Sequence, residues 1–166
     1  MELLSPLLQK LFQDWQARQH SRFPRRADFD PADFRYILGA MSLIDVHREP
    51  LRFRYRVHAT EVARWSGHDL TGKFMDDIGS EYTHIVHKHF SDVVMNECPI
   101  VHWHIDELLN DKLWNLEALV LPISRDGDSL DMLLSAVAHH RYENISAALR
   151  TANPRERPRV PIPSLV

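Results

Sequence analysis

Apolar and polar positions along the chain follow two different periods. Around residues 5 to 19, Leu4, Leu7, Leu8, Leu11, Phe12 and Trp15 recur at i, i+3, i+4 spacing, while Lys10, Gln13, Asp14 and Arg18 face away. That stripe predicts an amphipathic helix, with Ser5-Pro6 as its start signal. Two fates fit the stripe. It packs on the chain's own sheet, or Leu4, Leu8, Leu11, Phe12 and Trp15 meet a second copy, and the two can hold together. Residues 20–30 then form a polar, basic loop.

Beyond it the period shortens. Asp30-Pro31 opens a short helix, since Asp caps orphan amides and Pro is tolerated at the first helical position. Met41, Leu43, Ile44 and Val46 predict a mostly buried strand, and Arg48 to Pro50 turns the chain. Phe53, Tyr55 and Val57 then alternate with Arg52, Arg54, Arg56 and His58, which predicts a strand with one packed face and one basic, wet face. Thr60 is the expected cap of a helix carrying Val62, Ala63 and Trp65, and Gly67 and Gly72 break the chain at either end of the segment HDLTG. A helical turn over 73–79 precedes a long helix over 80–97. On that helix Tyr82, Ile85, Val86, Phe90, Val93 and Val94 share a side, with His89 among them. Cys98-Pro99 ends it. Three strands come next, over 100–109, 113–123 and 130–139. In the first, Val101, Trp103 and Ile105 take one face, and His102, His104 and Asp106 the other.

Two strands, a group of helices and three strands, together with the string RADFDPADF, LIDV, FRYRV and Gly-x-Asp-Leu-Thr-Gly (residues 26–72), resemble a bacterial, alphaproteobacterial-type family of stand-alone PAS-fold proteins. The resemblance is clearest over residues 15–78 and extends to about residue 138. It implies an α+β fold: a five-stranded antiparallel sheet in the order 2-1-5-4-3, helices on one face, and the N-terminal amphipathic helix. The chain then divides into a helix and linker (1–22), the PAS-like domain (23–140) and a C-terminal helix or proline-rich tail (141–166).

The resemblance further implies a sensory or signal-relay module that acts by binding a small ligand, a protein partner or both. A cavity between sheet and helices would be lined by Phe53, Tyr55, Trp65, Phe74, Met75, Val86, His89, Phe90 and Trp103, and would suit a small apolar ligand. PAS domains often dimerise through such N-terminal helices, so a homodimer and a separate signalling partner are expected. The alternatives are a ligand-free homodimeric adaptor, and a haem or metal sensor using His89.

Composition narrows the function classes. At 44% apolar residues the 166-residue chain can build one core, and a net charge of −3 gives no reason to expect nucleic acid. Cys98 stands alone, so no internal disulfide forms, and a reducing, cytoplasmic setting is expected. The start MELLSPLLQKLF does not read as a signal peptide, and no apolar run is long enough for a membrane span. No nucleophile motif or phosphate loop appears, so no catalytic residue and no enzyme are expected. Eleven histidines raise the question of a metal, but the pairs His84/His87 and His102/His104 are not expected to converge. No metal and no cofactor are expected beyond the haem alternative at His89.

Overall fold

A computed structural model of the chain describes residues 3–78, 81–108 and 112–141. The elements are α1 (Pro6–Gln16), β1 (Met41–Arg48), β2 (Leu51–Val57), α2 (Thr60–Ser66), α3 (Glu81–Asn96), β3 (Ile100–Leu108), β4 (Lys112–Ile123) and β5 (Met132–Arg141), with tight helical turns at Arg26–Asp28, Pro31–Phe34, Leu38–Ala40 and Met75–Ile78. All strand pairs are antiparallel, and the sheet order is β2-β1-β5-β4-β3. The connection between β3 and β4 (residues 109–111) and the tail from residue 142 lie outside the described residues.

Both faces of the sheet are covered, which is why β4 and β5 read as nearly continuous apolar runs. On one face Leu43, Leu119, Leu121, Ile123, Met132, Leu134 and Ala136 pack with Leu8, Leu11, Trp15, Phe29 and Phe34. On the other, the inner face, Ile44, Phe53, Tyr55, Val120 and Leu133 pack with Met75 and with Phe90, Val93 and Val94 of α3.

The amphipathic stripe of α1 therefore spends its core residues within the chain. Leu8 and Leu11 are fully buried and Trp15 donates its indole N–H to the Pro122 carbonyl at 2.9 Å. This corrects the placing of Leu8, Leu11 and Trp15 in a contact with a second copy: sheet surface of their own chain already occupies them. Leu4 and Phe12 are half-buried at the margin, and Leu7 stays 47% exposed. As expected, Ser5 caps the helix, its hydroxyl accepting from the Leu8 amide at 3.4 Å.

A second tie holds the start of α1. Glu117, on β4, is fully buried, and its two carboxylate oxygens accept from the Leu4 amide (2.7 Å) and the Ser5 amide (2.9 Å). His140 on β5 also reaches it, Nε2 to Oε2 at 2.8 Å. The free amides at a helix start need acceptors, and here the neighbouring sheet supplies them.

β2 shows where simple alternation fails. Phe53 and Tyr55 are buried and Arg54 and Arg56 exposed, as the period of two requires. Val57 is nevertheless half exposed at 50%, and His58 is buried at 5%. The pairing with β1 slips between Leu43 and Ile44, so Leu43 faces Val57 while Ile44 faces Tyr55. One extra residue on the β2 side turns every later side chain over. Ala59, not Thr60, is the N-cap of α2, and Gly67 closes that helix at φ +74°.

Ion pairs lock β1 to its surroundings. Asp45 is 6% exposed and accepts two hydrogen bonds from Arg56 at 3.0 Å and one from Arg125 at 2.6 Å. Arg125 also binds Asp131 at 2.7 Å. Asp30 caps the turn at Pro31 by accepting from the Ala32 amide at 2.9 Å, as its sequence position predicts.

Candidate functional site

The inner face has an apolar half and a polar half. The apolar half lies over β1 and β2. Phe53 meets Phe90 edge-on with centroids 5.4 Å apart, and Tyr55 meets Phe90 at 6.3 Å. Met75 is 2% exposed beside them, and Val86 packs on the same cluster. Five of the residues expected to line a cavity are thus brought together in one apolar cluster between sheet and helix. Burial pushes the Tyr55 phenol well above its usual range.

The polar half lies toward β3, β4 and β5. His89 of α3 stacks flat on His102 of β3, with centroids 3.6 Å apart and planes 11° from parallel. Trp65 of α2 sits edge-on to His139 of β5 at 3.8 Å. All four side chains are half-buried, so this end of the layer meets solvent. Strand register puts His102 here: it faces Ala118, and Ala118 faces Val137, two residues from His139. Burial lowers the His102 pKa, with Lys88 adding to the effect and Asp92 opposing it. His139 is pushed down to about 4 by burial and by the neighbouring His140. Both rings are therefore neutral imidazoles near pH 7. His102 Nε2 is buried and has no hydrogen-bond partner among the described residues.

Further along the layer, His58 packs edge-on to Tyr55 at 4.9 Å, and its Nδ1 accepts from the Leu70 amide at 3.4 Å. Burial lowers its pKa despite Asp69 nearby. His87 lies edge-on to Phe53 at 5.0 Å.

Two expected lining residues are elsewhere. Trp103 pairs with Glu117 and so takes the α1 side of the sheet, where its ring lies 5.6 Å from that of His140. The alternation read from the sequence was right, but the inward face carries His102 and not Trp103. Phe74 is half-buried against Arg52 (4.1 Å from guanidinium to ring centroid) and His47 (5.1 Å between rings). His47 and Arg52 are paired residues on the side of the sheet away from α3, so Phe74 leaves the cavity set.

The His89 ring, the haem alternative's candidate ligand, stacks on that of His102, so any group bound through His89 would have to sit beside that pair. Among the described residues no group of three or more His, Cys, Asp or Glu side chains is arranged to hold a metal ion. Nor is any described helix long and apolar enough to cross a membrane.

Sequence reasoning missed His102, His139, His58 and Glu117. Only Glu117 carried a clear signal, as a single charge inside the apolar run LWNLEALVLPI. The others take their faces from a bulge or from strand pairing, which no local pattern shows.

A family model described as PAS domain matches residues 3–138. No match is found among curated proteins. Among solved structures, the chain is similar to the Rhodobacter sphaeroides LOV protein, at 14% identity and a TM-score of 0.47, over 85% of this chain and 73% of that one.

Proposed function

Because this chain belongs to the PAS domain family, we propose that it is a sensory relay taking a small polar ligand at the histidine-lined end of its inner face and answering by docking to a partner protein. PAS domains in general are sensory modules and not catalysts. The observation that supports the ligand class is the buried His102 Nε2 without a partner. A buried polar atom left unpaired costs about 1–3 kcal/mol, and a bound group that completes its hydrogen bonding recovers that cost. The apolar half, where Phe53, Tyr55 and Phe90 pack in one buried cluster, argues against the small apolar ligand expected from the sequence. What remains is a half-open edge between Trp65, His89, His102 and His139, suited to a few heavy atoms with hydrogen-bonding capacity.

Native mass spectrometry of the purified full chain tests this. A small extra mass, released on denaturation and missing from His102→Leu, is the expected result. The bare chain mass in both proteins refutes a ligand held there. That outcome favours a second reading, a ligand-free adaptor, for which the closed Phe53–Phe90 packing is the supporting observation.

A further inference from the structure

Charge is placed unevenly around the histidine end of the inner face. Ser42 and Ser135 pair across β1 and β5, two residues from Ile44 and Leu133 of the inner cluster, and Ala118 lies two residues from Val120. All three therefore face α3, and none carries charge. The Ser42 hydroxyl accepts from the Ala59 amide at 2.9 Å. Next to them His102 brings a half-buried ring whose Nε2 has no hydrogen-bond partner. The charges acting on that ring come from Lys88 and Asp92 on α3. These two pair with each other at 2.8 Å, and their side chains are 73% and 36% exposed. Glu117, the buried carboxylate of β4, is committed on the opposite face to the Leu4 and Ser5 amides and to His140.

We infer that the ligand taken at this end is uncharged: a small molecule with an amide, hydroxyl or similar hydrogen-bonding group, and neither a carboxylate or phosphate nor an amine cation. This rests on the reading above that a ligand sits beside His102, and adds its charge class. An ion entering here gives up water and meets no opposite charge that is not already paired. A neutral group gives up less hydration and regains a hydrogen bond at His102 Nε2. The imidazole suits either kind of neutral partner, because its proton can sit on either nitrogen: it accepts from an N–H or O–H, or donates to a carbonyl. For an anion to bind, His102 must first take up a proton, and the burial that disfavours its charged form opposes that step. A cation meets the same burial, with Asp92 already held by Lys88.

Acetamide, acetate and acetamidinium test the charge class, since they share one planar shape and differ in charge. Fragments of four heavy atoms support dissociation constants of about 1 mM, within reach of a titration. The readout is the imidazole nitrogen resonances of the isotope-labelled full chain, followed near pH 7. Acetamide should shift the His102 nitrogens saturably, and acetate and acetamidinium should bind at least about ten-fold more weakly. In His102→Leu the backbone amide of Ala118, paired opposite that position, should no longer respond to acetamide. The comparison of the three probes is made in wild type and does not depend on the variant's folding. Acetate or acetamidinium binding as tightly as acetamide overturns this inference while leaving a ligand at the histidine end in place. A folded His102→Leu that still responds to acetamide at Ala118 also overturns it. No response to any of the three overturns both this inference and the reading it rests on.

Discussion

Replacing Glu117 by leucine removes the acceptors at the start of α1 while roughly conserving volume. Three donors then lose their partner: the Leu4 amide at 2.7 Å, the Ser5 amide at 2.9 Å, and His140 Nε2 at 2.8 Å. Ser5 is 4% exposed, so its amide cannot turn to water without moving the chain. Each buried donor left unpaired costs about 1–3 kcal/mol. The Leu4 amide and His140 are only partly buried and recover some hydration. Removing a buried carboxylate also relieves its own desolvation, which offsets part of the loss. A net destabilisation of about 3 kcal/mol results, and at about 2–4 °C per kcal/mol for a chain of this size Tm falls by about 6–12 °C. Chemical denaturation gives the free energy, and amide hydrogen exchange gives its location. Protection should drop first over residues 4–16, while Leu133 and Leu134 in β5 stay protected. If E117L unfolds within about 0.5 kcal/mol of wild type with α1 protection unchanged, the argument that β4 anchors the helix start fails.

Acid titration should show a step that belongs to histidine and not to carboxylate. His139 has its folded pKa pushed from 6.5 down to about 4, so the unfolded chain binds the proton first. Stability is then full above pH 6.5 and falls as pH drops toward 4, by up to about 3 kcal/mol. His139→Gln should flatten the stability curve through that window; a curve of unchanged slope counts against the assignment. His102, also lowered by burial, adds loss in the same direction. Phe53→Ala should cost about 3–5 kcal/mol in chemical denaturation, because Phe53 is fully buried against Phe90 and His87. A cost below about 1 kcal/mol would mean the inner layer is looser than its ring packing.

The order of elements was readable because each boundary has a local cause. Asp30-Pro31 starts its turn by an ordinary cap, α3 ends at Asn96 with Glu97 turned to φ +52° just before Cys98-Pro99, and the alternation in β2 holds as far as Tyr55. Sidedness was harder to read. Val57 and His58 exchange faces because of a slip in pairing with β1, a strand some ten residues away. Trp103 and His102 were assigned to opposite faces correctly, yet which face met α3 depended on β3 pairing Trp103 with Glu117. For that reason the apolar half of the site was legible in Phe53, Tyr55, Met75, Val86 and Phe90, whereas the histidine end was not. His89 appeared as a lone polar residue among apolar neighbours; its companion ring arrives from β3, across the helix–sheet gap.

Asp45 joins three pieces of chain at a single carboxylate: its own strand, β2 through Arg56, and the stretch before β5 through Arg125. Charge-assisted bonds of this kind resist sliding more than ordinary ladder contacts do. Strands on either side of β1 therefore shift together, as a stiff panel and not as separate slats. A push on β2 would then be passed through Asp45 to the stretch that leads into β5.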